Sequence, residues 1–285
     1  MPPESSRGFW QQRIERAQHL SNTYSFAAEI LRFYIRVLGF QKDLYGRIES
    51  ASGTGRTARP GGSLRNELDL ILLLPSFRPF LNLVEQDAPA PLAAAARELS
   101  THDAQEIAEL LTDWWSQLPA SAGAVGEIHV VSAPENECVR FCARAFLEPY
   151  AEYLAKHAEL PMLEFTPSVC PSCGSRPLLG VLRPEGDGGK RFLLCSFCLQ
   201  EWEYRRILCP ACGEETEAKL PVYIAEQFPH IRVEACETCK SYLRTVDLTK
   251  DGHAVPLVDD LAAIPLSLWA EQNGYTRIRG NLLGT

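Results

Sequence analysis

Between Cys170 and Gly213 the chain reads "CPSCGSRPLLGVLRPEGDGGKRFLLCSFCLQEWEYRRILCPACG", three Cys-x-x-Cys pairs in one run, and a fourth pair follows at Cys236 and Cys239. A single pair of this kind can be a thioredoxin-type redox motif, but that chemistry needs a strand-to-helix junction in a βαβ unit. These pairs lie instead among short apolar runs broken by Pro and Gly, such as "LLGVLRP", "KRFLLCSFC", "KLPVYIAEQ", "IRVEACETC" and "YLRTVDL". That texture predicts short strands in small antiparallel hairpins. Two thiolates two residues apart can grip one edge of a tetrahedral ion, and a second pair from another hairpin can close the opposite edge.

The spacing contains a repeat. Cys170 to Cys209 is 39 residues and Cys195 to Cys236 is 41, while the gaps between pairs are 21 and 23 residues. One unit then holds Cys170, Cys173, Cys195 and Cys198, and the next holds Cys209, Cys212, Cys236 and Cys239. A nested arrangement, joining Cys195 and Cys198 to Cys209 and Cys212, is the alternative. In the opening knuckles "CPSCG" and "CPACG", Pro171 and Pro210 pre-set φ, and Gly174 and Gly213 can take positive φ. The closing knuckles place Leu199 and Lys240 where those glycines stand, so that half of each site is expected to turn less tightly.

All-thiolate tetrahedral sites suit Zn²⁺ or a mononuclear iron, two ions for the chain, and a site closed by four protein ligands has no open position for a substrate. A divalent ion with four thiolates carries a local charge of about −2. Arg176, Arg191, Arg205, Arg206, Lys240 and Arg244 are near enough in sequence to offset it, with ordinary solvated charge as the equal alternative.

The 285 residues are 46% hydrophobic and 22% charged, enough for a sizeable core and more than one domain. The first twenty residues have no apolar segment behind a basic start, and no run reaches the roughly 18 apolar residues of a membrane helix. The expectation is a cytoplasmic protein without membrane insertion. There ten cysteines signal metal rather than disulfides; secretion, for which an even cysteine count would also serve, is the alternative. A net charge of −8 argues against nucleic acid as a partner.

Ahead of the cysteines the pattern is helical. "NTYSFAAEILRFYIRVLG" spaces Phe26, Ile30, Phe33, Tyr34 and Val37 by three and four, with Gly39 as a C-terminal stop. "SASGTGRTARPGGS" reads as a surface loop, its lone Gly-x-Gly lacking the context of a phosphate loop. Helices over "LRNELDLILLLPSFRPFLNLVEQ" and "THDAQEIAELLTDWWSQL" flank the breaker "DAPAP", and Trp114 and Trp115 are expected to pack. A further helix opens at "SAPE", with Ser132 and Glu135 as a capping box and Pro134 in its first turn. It carries Cys138 and Cys142 on one face, read as core packing rather than ligation, as are His129 and His157 nearby. The texture changes near Leu163. After the strands one more helix, "LAAIPLSLWAEQNG", is expected between an aspartate cap and Gly274.

In "CPSCGSRP", "LLCSFCLQEWEYRRILCPACG", "ACETCKSYLRTVD" and "VDDLAAIPLSLWAEQNGYTRI" the chain resembles the FdhE family, the formate dehydrogenase accessory proteins. "CVRFCARAFLEPYAEYLA" carries a weaker likeness in the helical half. The resemblance implies an all-helical domain over 1–163, rubredoxin-like (zinc-ribbon-like) four-cysteine modules over 164–206 and 207–285, and a C-terminal helix in the second. It also implies a chaperone-like role, without activity of its own, in maturing formate dehydrogenase through its catalytic subunit. The eight cysteines carry over as metal ligands, with rubredoxin-type iron the family's suggested ion and zinc its rival. A nucleic-acid-binding zinc ribbon and a rubredoxin-type electron carrier are the rival classes. The acidic charge and the lack of a basic, aromatic-interleaved strand face weaken the first, and the lack of a second cofactor site weakens the second. No catalytic triad context or phosphate loop appears, and the six histidines are scattered.

Overall fold

The computed structural model describes residues 6–52, 64–117, 134–158, 168–186 and 188–284. Helix α1 (Ser6–Thr23) precedes α2 (Ala28–Ser52), which continues through Gly39 rather than ending there. Glycine stops a helix when the following residues have no reason to continue it. Here Leu44, Tyr45 and Ile48 carry the apolar stripe onward and are at most 2% exposed. Their burial, about 1.5–3 kcal/mol for each large apolar side chain, outweighs the roughly 1 kcal/mol cost of one helical glycine.

Three helices follow: α3 (Leu70–Asp87), α4 (Ala90–Leu99) and α5 (Ala104–Ser116). The breaker at "DAPAP" separates α3 from α4, and Asp103 caps α5 reciprocally with Glu106. Helix α6 (Pro134–His157) is the axis of this region and packs against α2, α3, α4 and α5. From Phe141 to Ala155 it is buried on nearly every face, Arg144 being the half-buried exception. Its buried Glu152 receives a two-pronged bond from Arg13 of α1, both contacts 2.8 Å. Ser132, His129, the expected boundary near Leu163 and residues 53–63 of the Gly-rich loop lie outside the described residues.

The cysteine region forms one seven-stranded sheet in the order β3-β2-β1-β6-β5-β4, with β7 beside β6. Strands β1 (Pro177–Glu185), β2 (Gly188–Cys195) and β3 (Glu201–Glu203) form one antiparallel unit. Strands β4 (Val222–Ile224), β5 (Ile231–Ala235) and β6 (Ser241–Asp247) form the other. The two units join along a parallel seam that pairs Gly180 with Thr245 and Val181 with Val246. Gly180 is required there, because a Cβ would overlap the Thr245 hydroxyl.

The C-terminal helical stretch is two helices, not one: α7 (Pro256–Ala262) and α8 (Ile264–Gln272). They break at Ala263, where Pro265 has no N–H to continue the ladder, and Gly274 closes α8 at φ 82°. β7 (Thr276–Arg277) follows. Asp259 and Asp260 are buried hubs of α7 rather than caps. Asp259 accepts from Arg16 of α1 and meets His230 at 2.8 Å, while Asp260 faces Arg244 at 2.8 Å and Arg277 at 2.7 Å. Helices and sheet are thereby tied through buried charge.

Adding a Cβ at Gly39 or Gly46 meets nothing within 4 Å, so Gly39→Ala and Gly46→Ala should each stabilise by about 0.5–1 kcal/mol. Gly180→Ala should destabilise by about 1–3 kcal/mol. Urea midpoints of the three variants check both signs.

Two buried carboxyls titrate in opposite senses. Burial alone would raise the Asp260 pKa, but Arg244 and Arg277 outweigh it and hold the group below its usual range. Its stabilisation is therefore present above the unfolded value of about 4 and lost as pH falls through the folded one. Glu148 of α6 is pushed up to about 7 by burial, Arg144 and Arg13 opposing less. It contributes stability at low pH that is lost as pH rises towards about 7. Glu148→Gln should flatten the decline above pH 5 in a urea-midpoint profile and Asp260→Asn the acid limb.

Candidate metal centres

Each Cys-x-x-Cys knuckle folds the same way. The first cysteine of each donates its N–H to the carbonyl five residues on, from Cys170 to Ser175, Cys195 to Gln200, Cys209 to Glu214 and Cys236 to Ser241, at 2.8–2.9 Å. The residue after the second cysteine sits in the left-handed region at all four positions: Gly174 at φ 72°, Gly213 at 78°, Leu199 at 56° and Lys240 at 55°. The closing knuckles are thus as tightly turned as the opening ones, contrary to the expectation from their lack of glycine. The backbone bonds that close the turn outweigh the roughly 1–2 kcal/mol that a left-handed non-glycine residue costs. The same turn points amide hydrogens at sulfur, from Phe197 to Cys195 Sγ at 3.3 Å and from Ala211 to Cys209 Sγ at 3.4 Å.

These turns gather the thiols into two groups, Cys170, Cys173, Cys195 and Cys198, and Cys209, Cys212, Cys236 and Cys239, each with its sulfurs within 4.8 Å of one another. This is the grouping of the repeat, not the nested alternative. Across the pairs, Cys170 and Cys198 are 3.5 Å apart and Cys173 and Cys195 3.4 Å; in the second group the matching separations are 3.8 and 3.7 Å. All eight thiols are free. A disulfide would bring sulfurs to about 2 Å, whereas tetrahedral bonds of about 2.3 Å to a central ion set them about 3.8 Å apart. The donor sets therefore fit two four-thiolate ions.

Their surroundings differ. All four sulfurs of the inner group belong to buried residues, at most 1% exposed, and share one apolar core with the helices. Phe197, inside the closing knuckle, lies edge-on to Trp114 and Trp115 with ring centroids 4.8 and 5.6 Å away. Arg144 of α6 donates to Ser196 O in the same knuckle at 2.6 Å. The outer group keeps Cys209 and Cys236 buried, but Cys212 is exposed and Cys239 half-buried. Burial pushes the inner Cys170 and Cys198 thiols well above the usual range, whereas at Cys173 hydrogen bonds from the neighbouring thiols outweigh burial and hold it well below. Four thiolates this close can exist together only around a cation. At the outer Cys239, hydrogen bonds from Ser241 outweigh burial and hold the thiol at about 7.

The nearby basic residues are mostly engaged by carboxylates and carbonyls. Arg191 meets Glu234 at 2.6 Å, Arg205 meets Glu215 at 2.7 Å, Arg244 meets Asp260, and Lys240 pairs with Glu237. Arg206 donates to Gly189 O. Neither Cys138 nor Cys142 joins a ligand group among the described residues. Cys142 is fully buried, its thiol pushed up to about 12 by burial, whereas half-buried Cys138 lines a cleft rather than the core. His157 is occupied by Tyr153 O at 2.7 Å. The Arg144 and Phe197 contacts escaped sequence reasoning because both join segments more than 50 residues apart.

Two family models match the cysteine region, FdhE central domain over residues 169–206 and FdhE C-terminal domain over 207–283. A Pseudomonas aeruginosa protein named "Protein FdhE homolog" is 31% identical over 80% of this chain and 73% of its own length. The chain belongs to the FdhE family. A protein of the same name from Aquifex aeolicus is 26% identical over 95% of this chain and 91% of its own. The crystal structure of the FdhE protein from Pseudomonas aeruginosa superposes with a TM-score of 0.64 at 25% identity, covering 98% of this chain and 96% of that one. The FdhE likeness thus extends through the helical region.

Protein purified without oxygen should carry two ions per chain by elemental analysis. Under challenge with a chromogenic chelator, the ion at Cys209, Cys212, Cys236 and Cys239 should leave first and the buried one far more slowly. Cys212→Ser should abolish the fast phase, Cys173→Ser should remove the slow one, and Cys138→Ala should leave both.

Proposed function

We propose that this protein is a cytoplasmic accessory factor for formate dehydrogenase, binding the enzyme's catalytic subunit during maturation and performing no chemistry of its own. The observation that carries the reading is the pair of four-thiol groups in a chain of the FdhE family. Four protein ligands complete a tetrahedral ion and leave it no position for a substrate, so the ions' role is structural. They fix knuckles whose small hairpins bury too little to hold their shape alone. Residues Cys170, Cys173, Cys195 and Cys198 would hold one ion and Cys209, Cys212, Cys236 and Cys239 the other, iron or zinc.

The absence, among the described residues, of any helix long and apolar enough to cross a membrane is compatible with that location. A client interface would bury about 1,200–2,000 Å² in total. Cells lacking the protein should make the catalytic subunit yet oxidise little formate, and the tagged protein should co-purify with that subunit. Cys173→Ser should lose complementation in step with its metal. Normal formate oxidation in the deletion strain would refute the reading. Anaerobic absorption separates the ions, since ferric thiolate is coloured and zinc thiolate is not.

A further inference from the structure

A cleft of about 1200 Å³ opens where α2, α4 and α6 meet the C-terminal segment after β7. It is larger than the roughly 300–1,000 Å³ of small-molecule pockets. Its apolar lining is half-buried Ile30 together with the exposed edges of Phe33, Phe141 and Leu282, each below 10% exposed. The rings of Phe33 and Phe141 stand 5.8 Å apart.

The opposite character comes from arginines. Arg140 and Arg144 of α6 and Arg279 of the C-terminal segment line the cleft. Arg144 is spent on backbone, donating to Asn281 O at 3.0 Å and Ser196 O at 2.6 Å. Arg140 and Arg279 have no salt bridge among the described residues, although both are half-buried. Burial, then repulsion from Arg140 and from Arg176 behind it, lowers the Arg279 pKa, and the attraction of Glu137 is the smaller influence. Elsewhere this chain pairs its buried arginines carefully, Arg13 with Glu152 and Arg16 with Asp259. Three arginines brought together from α6, the segment after the first knuckle and the C-terminal segment repel one another, and among the described residues Glu137 offsets them only in part. A bound carboxylate would complete the offset through charge-assisted bonds.

We infer that this cleft is a binding site for an acidic, apolar-anchored peptide segment of the client, its carboxylates on Arg140 and Arg279 and its apolar side chains on the Phe33 and Phe141 wall. The assignment rests on the accessory reading above for the client's identity. Charge complementarity favours such a segment over a basic one, since five arginines line the cleft against Glu29, Asp87 and Glu137. The volume and the apolar lining favour a peptide over a small anion.

The test uses the full-length metal-loaded chain, overlapping synthetic peptides tiling the catalytic subunit of formate dehydrogenase, and inorganic pyrophosphate as a small-anion probe, all by fluorescence anisotropy or competition. Acidic peptides should bind, more weakly as salt rises, and Arg140→Gln with Arg279→Gln should weaken them about tenfold or more. The same double variant should keep two ions and melt at an equal or higher temperature, because it relieves repulsion. Phe141→Leu, which keeps the charge, should weaken the same peptides. Binding of none of the peptides, binding of non-acidic peptides only, affinities indifferent to the arginine changes, or binding of pyrophosphate without peptide would each overturn the assignment. Capture of the intact subunit equally by wild type and double variant would also overturn it while leaving the accessory reading in place. Arginine-dependent peptide binding with no capture of the intact subunit would do the reverse.

Discussion

Four sulfur atoms from two separate hairpins must converge on one point, twice, and most of the C-terminal half follows from that constraint. Two thiols on a knuckle reach one point only if the chain reverses within five residues. Reversal at that length demands both the bond from the first cysteine's N–H to the fifth residue's carbonyl and a left-handed residue after the second cysteine. Leu199 and Lys240 accept that strained conformation because the bond and the convergence are worth more than the strain. The knuckles then set the strand ends, the strand ends set the hairpins, and the two hairpin units share a seam that only glycine at 180 can fit.

The two groups of thiols are alike in chemistry and unlike in position. The inner one is embedded in the same core as α6, with Phe197 against two tryptophans and Arg144 bonded to the knuckle backbone. Its ion would support both halves of the molecule. The outer one shapes only its own end of the sheet and leaves Cys212 in solvent. Loss of the inner ion would disturb both halves and loss of the outer one its own end of the sheet, so the same four-cysteine motif carries two different structural weights.

Charge follows a consistent logic in the rest of the interior. Asp259 and Asp260, Glu152 and Glu234 are each met by arginine, and these pairs join α1 to α7, β6 to α7, α1 to α6 and β2 to β5. Breaking such a pair leaves an uncompensated buried ion, which makes the relative placement of helices and sheet specific. Glu148, with no arginine at bonding distance among the described residues, and Arg140 and Arg279 of the large cleft depart from this logic.

Much of this was legible in the residues. The Cys-x-x-Cys repeat, with its 39 and 41 residue offsets, favoured the grouping of the eight thiols that the structure shows and left the nested one open, because ligand spacing is a local property. Apolar periodicity likewise placed the helices ahead of Cys170 and the strands after it, and "DAPAP" marked a real break. What the sequence could not decide were outcomes of competition with distant partners. Gly39 reads as a stop and is overridden by the burial of Leu44, Tyr45 and Ile48; Leu199 and Lys240 read as loose and are forced tight. The aspartate before "LAAIP" reads as a cap and proves, with its neighbour, to be a buried hub, while the joining of two ribbons into one sheet, the burial of one thiol group and the partial exposure of the other leave no local mark. Burial and sheet pairing depend on contacts between residues tens to hundreds of positions apart, and local spacing does not encode which remote surface will cover a given side chain.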